Sequence, residues 1–155
     1  MNKTEAFQYL DSQQDFLFHT SDSIWDNPET DYHEEKSSAI LKNALTEAGF
    51  TVQSGLAGIP TAFSGSYGSG KPVIGFLGEF DALSGLSQEA GITEKKPIAE
   101  GGNGHGCGHN LLGTGSLAAA IAVKKYLEAS GKPGTVIFFG CPAEEGGSGK
   151  AFMAK

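Results

Sequence analysis

Three short segments hold the side chains best suited to chemistry: Asp81 in Gly78-Glu79-Phe80-Asp81, Cys107 and His109 in His105-Gly106-Cys107-Gly108-His109, and the adjacent pair Glu144-Glu145. Thiolate, imidazole and carboxylate are the donors that a borderline cation such as Zn²⁺ accepts, and Cys-x-His places two of them on one tight loop. The glycines of that loop allow close backbone approach. The loop also opens a helix, whose N-terminus favours thiolate over thiol at Cys107. Adjacent glutamates point in different directions unless the chain turns sharply, so one can bind a cation while the other stands beside it as a general base. An acidic helix start, favoured by the macrodipole, is the plainer account of the same pair.

The segments between them predict the scaffold. Phe7, Leu10, Phe16, Leu17 and Ile24 recur at helical spacing from Asn2 to about Trp25, and Asn27-Pro28 breaks that helix. A second helix is expected from about Tyr32 to Ala48, stopped by Gly49. Short β-prone runs follow at Phe50 to Gln53, Thr61 to Tyr67 and Pro72 to Phe80, each fenced by Gly or Pro. Val73-Ile74-Gly75-Phe76-Leu77 is nearly all apolar and reads as a central strand covered on both faces. A long apolar helix from about Asn110 to Ala129 leads through Gly131 and Pro133 to a buried strand, Thr135 to Phe139. Asp81 and the glutamate pair thus follow two buried strands, which is α/β logic with the site at the carboxyl ends of the strands.

Composition narrows the partners. The 155 residues carry 11 Lys, no Arg and 18 acids, a net charge of −7 that argues against nucleic acid. Residues 1–50 hold ten acids against three Lys, and residues 51–155 hold eight of each. The acidity is therefore local, and it reads as the solvated face of the two leading helices. No apolar run reaches the roughly 18 residues of a membrane span. The start, Met1 to Phe16, lacks the basic and apolar stretches of a signal peptide, so a cytoplasmic protein with no membrane partner is expected. Two cysteines without an export signal do not make a disulfide framework. Cys141 is expected to pack at a strand end, and His19 and His33 to be surface or helix-face residues.

Three glycine motifs do not hold as phosphate sites. Gly65 to Lys71 has P-loop spacing, but Pro72 replaces the required Ser or Thr and a strand follows. Gly113-Thr114-Gly115-Ser116-Leu117-Ala118 falls inside a predicted helix, where close packing explains the small residues better than a dinucleotide does. Gly146 to Lys150 lacks the P-loop spacing.

Gly78-Glu79-Phe80-Asp81-Ala82-Leu83, Gly104-His105-Gly106-Cys107-Gly108-His109-Asn110 and Pro142-Ala143-Glu144-Glu145-Gly146-Gly147 together resemble, in order, the three N-terminal motifs of the aminoacylase and amidohydrolase branch of the dinuclear zinc peptidases. Asn110-Leu111-Leu112-Gly113 and Ile24-Trp25-Asp26-Asn27-Pro28-Glu29 resemble the members acting on aminobenzoyl-glutamate. The resemblance runs from about Ser23 to the last residue. It implies part of a three-layer α/β/α catalytic domain over residues 51–155, preceded by acidic helices over residues 1–50. It also implies metal ligands at Cys107, His109 and Glu145, a catalytic base at Glu144, a catalytic carboxylate near the metal at Asp81, and two divalent ions, Zn or Mn, in a complete site. His105 is left open between ligation, neutral tuning and loop hydrogen bonding.

The same resemblance implies hydrolysis of the amide bond of a small N-acyl or N-aroyl amino acid by a homo- or hetero-oligomeric parent enzyme. The family's further histidines and its lid and dimerisation domain have no counterpart here, since the last histidine is His109. A truncated N-terminal part of a longer amidohydrolase is therefore expected, with a catalytically inactive remnant or weak metal-binding module as the alternative. With no Arg to grip a substrate carboxylate, any such clamp falls to Lys or to other sequence.

Overall fold

The computed structural model describes all 155 residues, and it divides the predicted leading helix in two, α1 (Lys3–Ser12) and α2 (Gln14–Trp25). Asn2 and Glu5 form a reciprocal capping box that starts α1. Gln13, at φ −98° and ψ 9°, leaves helical geometry and lets the chain restart as α2, a break that no Gly or Pro announces. Helix α3 (Glu35–Glu47) follows a loop whose Glu29 carboxylate reaches forward to cap it, accepting the N–H groups of Lys36 at 3.1 Å and Ser37 at 2.9 Å. The residue in the usual capping position, Glu34, does not cap the helix with its side chain.

Strands β1 (Thr51–Ser54), β2 (Phe63–Ser69), β3 (Val73–Glu79) and β4 (Gly134–Cys141) form one sheet in the order β1-β2-β4-β3. A single 3₁₀ turn at Leu56–Gly58 lies between β1 and β2. β1 pairs with β2, and β2 with β4, antiparallel; β3 and β4 run parallel, joined by the 22-residue helix α4 (His109–Ser130). That parallel unit sends the ends of β3 and β4, and hence Glu79, Asp81 and the glutamate pair, to one rim. The Gly65 to Lys71 motif lies largely within β2, and the Gly113 motif lies inside α4, so neither forms a strand-to-helix phosphate loop.

Helices α2, α3 and α4 cover one face of the sheet around Ile24, Leu41, Leu45, Leu117, Val136 and Phe138. Phe63 stands between Phe80 and Phe138 with ring centroids 5.8 and 6.0 Å away, and all three rings are fully buried. Each contributes about 1.5–3 kcal/mol by leaving water. Gly113 lets α4 approach β3, because a Cβ there would lie 2.5 Å from the Glu79 carbonyl oxygen. Close packing therefore explains that glycine as expected, whereas Gly115 meets nothing within 4 Å.

The other face of the sheet differs from expectation. β3 is an edge strand and not a central one: Val73 is 59% and Leu77 54% exposed. By strand alternation they share this second face with Ile137 and Phe139. Only the short helix α5 (Gly149–Met153) touches it, at a corner beside Leu77, Phe139 and Cys141. An apolar run records hydrophobicity and not the number of neighbouring strands. No helix is long and apolar enough to cross a membrane.

Candidate metal centre

Gly108, at φ +79°, turns the loop into α4 so that His109 is the helix's first residue. The His109 ring is buried, with Nδ1 2.9 Å from Asp81 Oδ1 and 3.1 Å from the Asp81 carbonyl oxygen. Both are acceptors, so Nδ1 carries a proton, and a cation at Nε2, the nitrogen that faces the site, would take the place of the proton that its own carboxylate neighbours otherwise favour. Around Nε2 stand Glu79 Oε2 at 3.0 Å, Glu144 Oε2 at 3.7 Å and Glu145 Oε1 at 3.9 Å. The second Asp81 oxygen accepts the Glu145 backbone N–H at 2.9 Å. One buried carboxylate thereby fixes both the imidazole and the start of the second glutamate.

The charges follow from this packing. Burial pushes the Asp81 carboxyl upward, but the His109 hydrogen bond, the Glu145 N–H and the imidazole charge together hold it below its ordinary value. The Asp81 hydrogen bond raises the His109 imidazole, burial opposes it, and the Asp81 and Glu79 charges add to the rise. Cys107 reverses its expectation. Its thiol is raised, first by hydrogen bonding to Glu145 and then by slight desolvation and the charges of Glu145, Glu144 and Glu79. A cation among these carboxylates would oppose that shift and favour the thiolate.

Cys107, His109 and Glu145 bring one donor atom each to within 4.8 Å of one another, and Glu79, His109 and Glu144 do the same. Sulfur, imidazole nitrogen and carboxylate oxygen at that spacing fit a borderline divalent cation. The imidazole held from behind by a carboxylate is the arrangement that orients such a ligand. Cys107, His109, Glu144, Glu145 and Asp81 are thus brought together. The glutamates occupy a turn and not a helix start, because α5 begins only at Gly149, which removes the macrodipole account of the pair.

Glu79 joins the site as well, a residue that the sequence does not single out within Gly78-Glu79-Phe80-Asp81. Strand alternation carried its signal: two residues before Asp81, with buried Phe80 between, it projects to the same side. Its other oxygen pairs with Lys150. His105 belongs to neither donor group. Its buried ring places Nε2 3.0 Å from the Ile24 carbonyl oxygen and stacks near Trp25, so it ties the loop to α2. Burial pulls its pKa down. Cys141 is buried at the end of β4, with its thiol pushed up to about 11 chiefly by burial, while His19 and His33 are exposed.

Residues 75–155 match the model of Peptidase family M20/M25/M40. One of the subunits of the p-aminobenzoyl-glutamate hydrolase of Escherichia coli K12 is 59% identical over 135 residues, covering 87% of this chain and 28% of that protein. The Xaa-Arg dipeptidase of Mus musculus is 32% identical over 161 residues, covering 96% of this chain and 33% of the relative. Among solved structures, a dinuclear metal binding peptidase of the M20 family from Bacillus subtilis superposes with a TM-score of 0.76 at 19% identity, over 93% of this chain and 39% of that one. An aminobenzoyl-glutamate utilization protein from Klebsiella pneumoniae gives 0.69 at 16% identity, over 97% and 42%. The chain therefore spans about a third of the length of the relatives it matches. Its α/β fold matches part of their catalytic domain.

Proposed function

The chain belongs to peptidase family M20/M25/M40, and from that premise we propose that its site serves metal-dependent hydrolysis of the amide bond in N-acyl or N-aroyl amino acids of the aminobenzoyl-glutamate kind. The carrying observation is the meeting of Cys107, His109 and Glu145 around a nitrogen whose ring is locked by Asp81. Those three residues would hold the cation. A bound Zn²⁺ or Mn²⁺ supplies Lewis-acid polarisation of the carbonyl and makes water more acidic. Asp81 keeps a proton on His109 Nδ1, which leaves Nε2 as the ligating atom. Glu144, 38% exposed at its side chain, is the base. Its carboxylate takes a proton from the attacking water as the C–O bond forms and returns it to the amine nitrogen as the C–N bond breaks. That the Escherichia coli relative is one subunit of its hydrolase supports an oligomeric parent enzyme.

A second reading, a metal-binding module without turnover, is favoured by one observation: both donor groups share the single His109 Nε2, which can serve only one ion. The two readings part on paired measurements. Calorimetry with Zn²⁺ and Mn²⁺ should give binding that Cys107→Ala and His109→Ala remove; unchanged binding in both variants would sink the ligand assignment. Incubation of the metal-loaded chain with aminobenzoyl-glutamate and a panel of acyl-glutamates should release amine. Binding without release from any of them leaves the module reading.

A further inference from the structure

Glu34 is fully buried in the acidic leading segment, where a solvated face was expected. Its Oε1 accepts the Tyr32 N–H at 3.1 Å and the Ala143 N–H at 2.8 Å, and its Oε2 accepts the Thr61 hydroxyl at 3.1 Å. Capping α3 would be its ordinary use, but Glu29 has taken that task. Burial raises its pKa, against the pull of these hydrogen bonds. A carboxylate kept here without a cation among its hydrogen-bond partners is an expensive choice unless its acceptors are needed.

What it holds is strained backbone. Ala143, immediately before the glutamate pair, stands at φ +52°, and the same turn contains Ser148 at +54°. Across from it, Asp31 and Tyr32 stand at +45° and +66°. Each such residue persists only where its surroundings over-determine it. The two turns interlock. The Tyr32 hydroxyl donates to the Gly147 carbonyl, the Tyr32 ring fills the space a Gly147 side chain would need, and the Asp31 carboxylate fills that of Gly146. Glu34 Oε1 is the one acceptor bonded to both turns.

We propose that Glu34 is a positioning residue: through the Ala143 N–H it clamps the 143–148 turn to the 31–32 turn and so sets Glu144 and Glu145 against His109. The consequence for metal binding rests on the proposed role of Glu145. The clamp itself does not.

The test uses the whole chain. In Glu34→Ala, and in Glu34→Asp, which keeps the charge but shortens the reach, the amides of Ala143, Glu145 and Gly147 should exchange hydrogen at least about tenfold faster by NMR while those of the α4 interior keep wild-type protection. Glu34→Gln keeps an acceptor for both N–H groups and can donate to the Thr61 hydroxyl, so it should restore protection. Co²⁺ titration, read by the Cys107 thiolate charge-transfer band, should weaken roughly 10–100-fold in the Ala and Asp variants and not in the Gln variant. Wild-type protection of the turn amides in Glu34→Asp would overturn the proposal, as would a loss spread equally over α3 and α4. If Glu34→Ala does not fold, Glu34→Asp decides. A wild-type chain that takes up no Co²⁺ would sink the metal reading alone, and the exchange result would still judge the clamp.

Discussion

The site joins two unlike halves. Its floor, Asp81 and His109, is buried, lies where β3 meets α4, and is fixed by hydrogen bonds from side chain to side chain and side chain to backbone. Its rim, the 143–148 turn, holds half-exposed glutamates on strained backbone secured by residues more than a hundred positions earlier. The floor can be rigid because its partners are close along two packed elements. The rim touches the floor through the Glu145 N–H on Asp81 and otherwise depends on a remote clamp, which places the glutamates beside the floor without building them into the sheet.

The sharpest way to break this contrast is at the floor. His109→Ala leaves the buried Asp81 carboxylate without its charged partner, and chemical denaturation should show a loss of about 3–5 kcal/mol together with loss of Co²⁺ uptake. If stability is retained, the floor is less rigid than its bonding indicates. Next, Gly113→Ala pushes α4 away from the Glu79 carbonyl and should cost about 1–3 kcal/mol by overpacking, without altering exchange in the rim beyond that global loss.

A pH titration without metal probes the floor more gently. The raised His109 pKa contributes stability that is fully present below about pH 6.5, the unfolded value, and is lost as pH rises through the folded value. Asp81 is lowered, so its contribution is present above about pH 3.9 and is lost only as pH falls through its folded value. The melting temperature of the chelator-treated chain should therefore fall as pH rises above about 6.5, and His109→Gln should flatten that fall. The smallest effect belongs to the rim. Tyr32→Phe removes one hydrogen bond to Gly147 and should cost about 0.5–1.5 kcal/mol, with faster exchange confined to residues 143–149.

Much of the site's donor set was legible in the sequence because donor type and position are local properties. Asp81 follows a strand, Cys107 and His109 share a glycine loop, and the glutamate pair follows another strand. Most of what the sequence did not show concerns what lies opposite. Glu34 read as solvated charge because its partners, Thr61 and Ala143, are 27 and 109 residues away. The thiolate expected at Cys107 took account of the helix it precedes and not of three carboxylates arriving from elsewhere. β3 read as central because composition cannot count neighbours, and α1 ran on into α2 because Ser12-Gln13-Gln14 carries no breaking residue.

The seating of α4 has a consequence for tolerated changes in chain length. Gly113 rests on the Glu79 carbonyl and the Ser116 hydroxyl donates to the Leu77 carbonyl at 2.7 Å, which locks the helix against β3 a few residues past His109. Leu111 and Leu112 between them are exposed and would accept many substitutions. They would not accept an insertion: one added residue there rotates His109 by roughly 100° about the helix axis and shifts it about 1.5 Å, away from Asp81. The same insertion after Ser130, in the loop before β4, leaves the ligand where it is. Freedom to vary in residue type and freedom to vary in number are thus separate properties of the first turn of this helix.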